Sequence, residues 1–398
     1  MSGKFEEIKT EEEQLLCRSY SRYPVAISHG KGSRLWDVNG KEYIDLLAGI
    51  AVTDLGHCNP EVNAELERQA QILWHVSNLF YQEPQLRLAK ALISTTHHAK
   101  AFFCNSGAEA NEACIKLARR YMRKIKQRDA PVIITLQGCF HGRTLGTLAA
   151  TGRPALSDGF GPLPEGFRQV PPNDLAALAG AIDSQTAAVL LECVQGEAGV
   201  VPLPLDYLRE VEKLCREKDI LLICDEVQGG LCRTGKFWSF QHAGIKPDAI
   251  SVAKGLANGL PMGAMLATDE MAKGFEPGSH ATTFGGGALT SAVATRVIEI
   301  MLRDNMAERA AQIGQEFKSS LCELRDRFPH RIKDVRGQGL MIGVEMQEDA
   351  RQIWLDLLET GFICSLTHGY TLRLLPALNI PREDLNKFVS GLASVLSK

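Results

Sequence analysis

Short apolar runs alternate with amphipathic stretches through the middle of the chain. The apolar runs predict strands at residues 100–104, 132–136, 187–191, 220–224, 248–253 and 263–267. Between them, apolar residues spaced by three and four positions predict helices at 108–124 and 206–218. Because strands that are apolar along their whole length are buried on both faces, this pattern favours an α/β fold with a mainly parallel sheet flanked by helices.

The two ends of the chain follow other patterns. Residues 30–46 alternate over short runs, and Asn39-Gly40 between them predicts a hairpin with a two-residue turn. Beyond about residue 290 the chain becomes helical, with strands expected near 339–345 and 371–374 and an amphipathic helix at the end.

These changes of pattern predict a large domain and a smaller α+β domain built from both ends of the chain. The expected segments are 1–60 for the N-terminal part of the small domain, 61–290 for the large domain, and 291–398 for the C-terminal part of the small domain.

Composition and charge exclude several classes of function. The net charge of −3 creates no long-range attraction for nucleic acid or an anionic membrane, so neither is an expected partner. Apolar runs such as 44–52 are too short to span a bilayer. Residues 1–14 lack the apolar run of a signal peptide and are expected to form a frayed or helical start.

The eleven cysteines contain no C-x-x-C pair, and Cys104, Cys193 and Cys224 fall inside apolar strand patterns. They are expected to be reduced, buried thiols of a cytoplasmic protein. The pair His97-His98 has no Cys or His neighbour at ligand spacing, so no metal site is expected.

The first candidate site is Ser106-Gly107-Ala108-Glu109, which follows a predicted strand and opens a predicted helix. Ser106 and Glu109 have capping-box spacing. The small residues Gly107 and Ala108 leave the backbone N–H groups accessible to an anion, although a plain helix start has the same pattern. The glycine-rich sequences of dinucleotide and P-loop sites are absent from the chain, which favours a single phosphate as the ligand.

A carboxylate and an amine follow two later strands of the same predicted sheet. Asp225 and Lys254 end consecutive strands, one crossover unit apart. Alone, Asp225 could cap a loop and Lys254 could be a solvated charge. Facing one crevice beside a phosphate site, they suggest pyridoxal phosphate (PLP), whose phosphate, pyridine nitrogen and aldehyde carbon each need such a partner.

The chemistry of these partners is specific. Burial would lower the pKa of Lys254 and so supply the neutral amine that attacks the aldehyde. An ionised Asp225 would keep the pyridine nitrogen protonated, which makes the ring an electron sink. Phe140, which follows the strand at 132–136, is expected to pack against the ring face, where a lone Phe would otherwise be read as core.

Five motifs carry a family resemblance. They are residues 105–112 (NSGAEANE), 140–144 (FHGRT), 195–197 (QGE), 225–228 (DEVQ) and 253–255 (AKG). Together they resemble the class III (ornithine/GABA-type) aminotransferases of PLP fold type I, from about Tyr23 to the C-terminal helix. Further motifs at 49–52, 56–57, 75–81 and 141–145 are most similar to the acetylornithine aminotransferases of that family.

The resemblance implies PLP as cofactor and a role for each matching residue. The implied catalytic residues are Lys254 and Asp225, and the implied cofactor-binding residues also include Ser106, Gly107, Ala108, Phe140, Val227, Gln228 and Thr283. The first three would hold the phosphate, and Val227 and Gln228 would contact the hydroxyl side of the ring. Thr283 would reach the cofactor of a partner subunit, which implies a homodimer.

The implied substrate-binding residues are Arg143, Glu197, Thr282 and Arg373. Arg143 would bind the distal carboxylate of glutamate or the α-carboxylate of acetylornithine. Arg373 would bind the α-carboxylate of glutamate, and Glu197 would pair with it when no carboxylate is present. Such a pair is physically sensible because an unpaired buried guanidinium is costly, although two surface charges would give the same sequence.

The reaction implied is transamination of N2-acetyl-L-ornithine with 2-oxoglutarate to N-acetyl-L-glutamate 5-semialdehyde and L-glutamate, in arginine biosynthesis. Lys254 would hold the cofactor as a Schiff base and, once displaced by the amine donor, act as general base. The alternatives are ornithine, succinylornithine, succinyldiaminopimelate or GABA as donor, a PLP-dependent aminomutase, and a non-catalytic PLP-binding protein. Departures from the family at Cys193, Gly229, Cys232 and Gly287-Ala288 leave the substrate preference open.

Overall fold

A computed structural model describes residues 3–398 of the chain. The α-helices are α1 Gly3–Leu15, α2 Ala48–Ala51, α3 Pro60–Ala70, α4 Glu83–Ile93, α5 Gly107–Lys124, α6 Leu145–Thr151, α7 Pro154–Ser157, α8 Leu175–Ala181, α9 Leu205–Glu217, α10 Asp269–Ala272, α11 Ala288–Arg303, α12 Met306–Arg327, α13 Arg351–Glu359 and α14 Arg382–Leu396. Two 3-10 helices lie at Ser239–His242 and Lys254–Ala257. The expected helical start at 1–14 corresponds to α1, and Met1 and Ser2 lie outside the described residues.

The strands include the six expected from the apolar runs. They are β1 Ile27–Lys31, β2 Arg34–Asp37, β3 Glu42–Asp45, β4 Lys100–Cys104, β5 Val132–Leu136, β6 Phe167–Val170, β7 Thr186–Leu191, β8 Val194–Gln195, β9 Val201–Pro202, β10 Leu221–Asp225, β11 Ala249–Val252, β12 Gly263–Ala267, β13 Ile332–Gln338, β14 Met341–Met346, β15 Phe362–Ile363, β16 Ser365–Thr367 and β17 Thr371–Leu374.

Seven strands form the central sheet, in the order β4-β12-β11-β10-β7-β5-β6. The pairs from β11 to β6 are parallel, whereas β12 runs antiparallel to both β11 and β4. The mainly parallel α/β fold is therefore confirmed, with β12 as the exception. A strand buried on both faces has the same apolar pattern in either direction, so the sequence alone does not reveal this reversal.

The core of the large sheet explains why its strands are continuous apolar runs. Leu117 of α5 packs in one buried cluster with Ile133 of β5 and Ile223 of β10, and all three are fully buried. On β10, Leu222 belongs to a second buried cluster, because successive side chains of a strand point to opposite faces. Helices thus cover the sheet on both sides, and the carboxyl ends of β10 and β11 remain open for a ligand.

The two ends of the chain meet in smaller sheets. One sheet has the order β1-β2-β3-β15 and pairs N-terminal β3 with C-terminal β15 in parallel. Another has the order β13-β14-β17-β16 and is antiparallel throughout. The boundaries drawn at residues 60 and 290 remain predictions.

The turn expected at Asn39-Gly40 is longer than the sequence suggested. The Asp37 N–H donates to the Lys41 carbonyl, so three residues, 38–40, form the loop and the expected two-residue turn is wrong. The Asp37 carboxylate accepts the N–H groups of Asn39 and Lys41 at 2.8 and 2.9 Å, which stabilises the longer loop. Within residues 3–398, none of the helices combines the length and apolarity needed to cross a bilayer.

Candidate active site

A cavity of about 390 Å³ opens where β10 and β11 end and α5 begins. The predicted site residues that line it are Ser106, Gly107, Ala108, Phe140, Arg143, Asp225, Val227, Gln228 and Lys254. Glu197, Arg373, Thr282 and Thr283 do not line this cavity. Ligands of open α/β sheets bind at this edge, so the fold brings the predicted catalytic pair to the expected place.

The N-terminus of α5 forms one wall of the cavity. The Ser106 hydroxyl caps the helix by accepting the Glu109 N–H at 3.2 Å, and the Glu109 carboxylate accepts the Asn105 N–H at 2.5 Å. A Cβ at Gly107 would lie 2.7 Å from Val227 Cγ1, so only glycine lets the helix start approach the segment after β10. The first N–H groups of a helix lack intrahelical partners, which leaves this wall suited to an anion.

Asp225 is almost fully buried, and its carboxylate accepts four hydrogen bonds. Asn111 Nδ2 and His141 Nδ1 each donate to Oδ2 at 2.7 Å. The Val227 N–H and the Ser251 hydroxyl donate to Oδ1 at 3.0 and 3.2 Å. Charge-assisted bonds of this kind favour the ionised carboxylate and fix its orientation toward the cavity.

His141 supports Asp225 electrostatically as well as geometrically. Burial opposes a charged imidazole, but Cys139 and the hydrogen-bonded Asp225 carboxylate raise the pKa of His141 well above its ordinary value. Asn111 also donates to the His141 carbonyl oxygen at 2.9 Å, which links the α5 helix to the segment after β5. The three side chains therefore form one buried network behind the cavity.

Lys254 projects into the cavity from the first residue of a 3-10 helix. Its φ of 46° lies in the left-handed region that a residue with a side chain seldom adopts. Burial lowers the pKa of the Lys254 amine to about 8, against the opposing effect of the Glu197 carboxylate. A strained backbone and a depressed amine pKa at a strand end are typical of a functional lysine.

Phe140 and Arg143 lie on the opposite segment, after β5. The guanidinium carbon of Arg143 is 5.6 Å from the centroid of the Phe140 ring, within cation–π range, and Arg143 is exposed at the cavity mouth. Glu192 accepts the Phe140 N–H at 3.0 Å and the Gly196 N–H at 3.4 Å. Burial raises the pKa of Glu192 to about 7, with His141 opposing and Asp225 adding to the shift.

Glu197 and Arg373 form a salt bridge beside the cavity. Arg373 is buried and also donates to the Ser365 hydroxyl at 3.1 Å. Gln228, from the cavity wall, lies between the two charges and contacts each at 3.4 Å. Burial opposes ionisation of Glu197, but the Arg373 charge outweighs it and lowers the pKa of the Glu197 carboxyl.

Thr282 and Thr283 lie in the segment before α11. The Thr282 hydroxyl accepts from Asn105 Nδ2 at 3.2 Å, which joins it to the start of α5. Thr283 is exposed, and the predicted reach of its side chain to a partner subunit remains a prediction.

Three buried residues of the site were not among the predicted ones: Asn111, His141 and Glu192. The first two stand inside the quoted motifs 105–112 and 140–144, so the motifs pointed to their segments. Their contacts with Asp225 bridge 114 and 84 residues of sequence, and no local pattern records such a contact. Among residues 3–398, no group of three or more His, Cys, Asp or Glu side chains could hold a metal ion.

Comparison with known proteins gives a consistent result. The family model for class III aminotransferases matches residues 16–396. The acetylornithine aminotransferase of Methanocaldococcus jannaschii is 43% identical over 97% of both chains, and that of Methanopyrus kandleri is 44% identical over 95% of this chain and 96% of its own.

Solved structures agree with this assignment. An ornithine aminotransferase from Toxoplasma gondii, whose structure has partial occupancy of PLP at the active site, superposes with a TM-score of 0.94 at 32% identity, covering 98% of this chain and 94% of its own. The acetylornithine aminotransferase of Elizabethkingia anophelis superposes with a TM-score of 0.89 at 31% identity over 99% of both chains. The chain therefore belongs to the class III aminotransferases.

Proposed function

We propose that this class III aminotransferase transfers the side-chain amino group of N2-acetyl-L-ornithine to 2-oxoglutarate, giving N-acetyl-L-glutamate 5-semialdehyde and L-glutamate, as a step of arginine biosynthesis. The observation that carries the proposal is that Lys254 and Asp225 line one cavity together with the N-terminus of α5. The choice of donor is supported by relatives at 39–44% identity, which are named acetylornithine aminotransferases.

The residues of the cavity fit the family's cofactor, PLP. Ser106, Gly107 and Ala108 would hold its phosphate, because a helix start made of small residues offers free N–H groups and no obstructing side chain. Asp225 would hold the pyridine nitrogen, and Lys254 the carbonyl carbon. Bound PLP supplies an electron sink for the charge that develops at the substrate carbon.

The chain itself supplies the proton transfers. A Lys254 amine with a pKa of about 8 is partly neutral near neutral pH and can take a proton from the substrate carbon that bears the amino group. Asn111 and His141 hold the Asp225 carboxylate in place while it stabilises positive charge on the ring nitrogen. Phe140 and Val227 would close the two faces of the ring, since both line the cavity.

Two guanidinium groups support the choice of a substrate pair that carries carboxylates. Arg143, exposed at the mouth, would bind the α-carboxylate of acetylornithine or the distal carboxylate of glutamate. Arg373 would bind the α-carboxylate of glutamate. In its absence Glu197 neutralises Arg373, which lets the same pocket accept an ω-amine that has no carboxylate near the reacting carbon.

We further propose a homodimer. Large apolar side chains before α4 and before α11 are exposed, at 87% for Leu79, 66% for Phe80 and 67% for Phe284. Phe284 adjoins Thr283, so a second copy that covered this surface would meet the segment proposed to reach its cofactor. A monomer that retains full activity at assay concentration, measured by light scattering and turnover on the same sample, would contradict this arrangement.

The thiols support the cytoplasmic location that the sequence led us to expect. All eleven cysteines are free, and Cys104, Cys193 and Cys224 are buried among apolar residues. Free, buried thiols are typical of a reducing compartment.

A donor screen tests the proposed substrate. The values of kcat/KM for N2-acetylornithine, ornithine, succinylornithine, succinyldiaminopimelate and GABA would be compared with 2-oxoglutarate as acceptor. We expect the highest value for N2-acetylornithine and no turnover when 2-oxoglutarate is omitted. A higher value for ornithine would replace the proposed donor, and turnover without acceptor would indicate an aminomutase instead.

A further inference from the structure

The turn that carries Glu197 is fastened to the C-terminal sheet at three backbone positions. Arg373 of β17 donates to the Gly196 carbonyl oxygen at 3.4 Å, and Arg336 of β13 donates to the Gly199 carbonyl oxygen at 3.0 Å. Between them, His368 Nε2 lies 2.7 Å from the carbonyl oxygen of Glu197 itself. Because a carbonyl oxygen only accepts, the histidine must donate from Nε2.

His368 occupies an unusual position for this task. It lies in the turn between β16 and β17 with a φ of 53°, followed by Gly369 with a φ of 77°. Glycine or asparagine is the residue that such a backbone favours. A histidine in place of Asn is therefore not explained by the turn alone, whereas its hydrogen bond to Glu197 explains it.

The same hairpin thus holds Glu197 twice. Arg373 holds the carboxylate, and His368 holds the backbone one turn away from it. When a substrate carboxylate takes the place of Glu197 on Arg373, the backbone stays fixed by His368, and the side chain alone has to move.

We propose that His368 is a positioning residue that sets the preference between the ω-amine donor and glutamate by fixing the backbone from which the Glu197 side chain turns. The inference rests on the proposed function, because it concerns the Glu197–Arg373 pair. Loss of the anchor would loosen this pair and expose Arg373, so glutamate would gain relative to acetylornithine.

Two substitutions separate this role from a role in the turn. His368→Asn suits the positive φ but is too short to reach the Glu197 carbonyl, whereas His368→Gln keeps a donor at a similar reach and suits the turn less well. We expect His368→Asn to raise the ratio of kcat/KM for glutamate to kcat/KM for N2-acetylornithine by about two- to tenfold, the effect of one ordinary hydrogen bond. His368→Gln should restore most of the wild-type ratio.

A role in the turn alone predicts the opposite order, with His368→Asn equal to or better than wild type and His368→Gln impaired. That result would overturn the proposal. In the Glu197→Ala background, His368→Asn should leave the ratio unchanged, and a further change there would also contradict it. His330→Asn, at an exposed histidine of another turn, is the matched control.

Amide hydrogen exchange provides a readout that does not depend on the substrate. Exchange in residues 196–200 should be faster in His368→Asn than in wild type or in His368→Gln, and equal exchange in all three would overturn the anchor. If wild type does not accept N2-acetylornithine, the proposed function fails while this exchange measurement still decides whether the anchor exists.

Discussion

The amine of Lys254 and the carboxylate of Asp225 face one cavity from the ends of neighbouring parallel strands, β10 and β11. The strands pair Asp225 with Ser251, three residues before the lysine, and Ser251 in turn donates to the Asp225 carboxylate. Strand register therefore sets the distance between the two groups. A sheet edge that presents an amine and an anion together can hold the two ends of one aromatic aldehyde.

Removal of the lysine amine tests its role as general base. Lys254→Ala should lower turnover by about 10²–10⁴-fold or more, which is the usual contribution of a positioned acid or base. The fold should survive, because an alanine fits where the lysine side chain enters the cavity. Turnover and thermal unfolding would be measured together, with Lys213→Ala on the exposed face of α9 as control. Turnover within a few-fold of wild type would remove Lys254 from the mechanism.

The amine should titrate at an unusually low pH in the enzyme without cofactor. Since burial lowers the pKa of Lys254 to about 8, its neutral form should appear through pH about 8, whereas an ordinary lysine titrates near about 10.4. The pH dependence of labelling with an amine-selective reagent, followed by mass spectrometry, would show the difference from Lys213. Glu197→Gln should lower the pKa further, because the Glu197 carboxylate favours the charged amine. An unshifted labelling curve would contradict the buried setting.

Glu197 should control which substrate Arg373 accepts. In Glu197→Ala the guanidinium has no internal counter-charge, so glutamate should gain over N2-acetylornithine in the ratio of their kcat/KM values. We expect a change on the order of tenfold or more, since an unpaired buried charge costs well above the 1.4 kcal/mol or so that corresponds to tenfold. Glu210→Ala, on the exposed face of α9, is the control. An unchanged ratio would show that Glu197 does not compete with the substrate.

Stability at acid pH should depend on one buried histidine. His98 Nε2 lies 3.0 Å from the Pro247 carbonyl oxygen and Nδ1 lies 2.7 Å from the Thr96 hydroxyl, an arrangement that suits a neutral ring. Burial lowers the pKa of His98 to about 3, with His97 adding to the shift.

The unfolded chain, with a histidine pKa near about 6.5, binds a proton that the folded chain refuses, so stability falls as pH falls from about 6.5 toward about 3. Thermal unfolding of wild type and His98→Asn across this range should show a shallower pH dependence for the variant. His330→Asn should follow wild type. Parallel curves for all three would exclude His98 as a source of acid sensitivity.

The sequence revealed those parts of the fold that a local pattern records. The strands at 100–104, 132–136 and 263–267 have the bounds that their apolar runs predict, and Ser106 caps α5 as its spacing predicts. The direction of β12 was not accessible in this way. The pairing of β3 with β15 across more than 300 residues was not accessible either, because pairing depends on where the chain returns.

The site divides along the same line. Lys254 and Asp225 were accessible because each ends an apolar strand, and the motifs indicated Glu197 and Arg373. The network behind Asp225 was not, since Asn111 and His141 come from a helix and a loop that meet only in the folded chain. Their positions follow from packing of α5 against the sheet.

The attachment point of the cofactor tests the central claim most directly. Borohydride reduction of the holoenzyme fixes PLP to the amine that holds it, and digestion followed by mass spectrometry identifies the residue. The account predicts the pyridoxyl group on Lys254 in stoichiometric amount. A group on any other lysine, or no modified lysine in a protein that binds PLP, would contradict it.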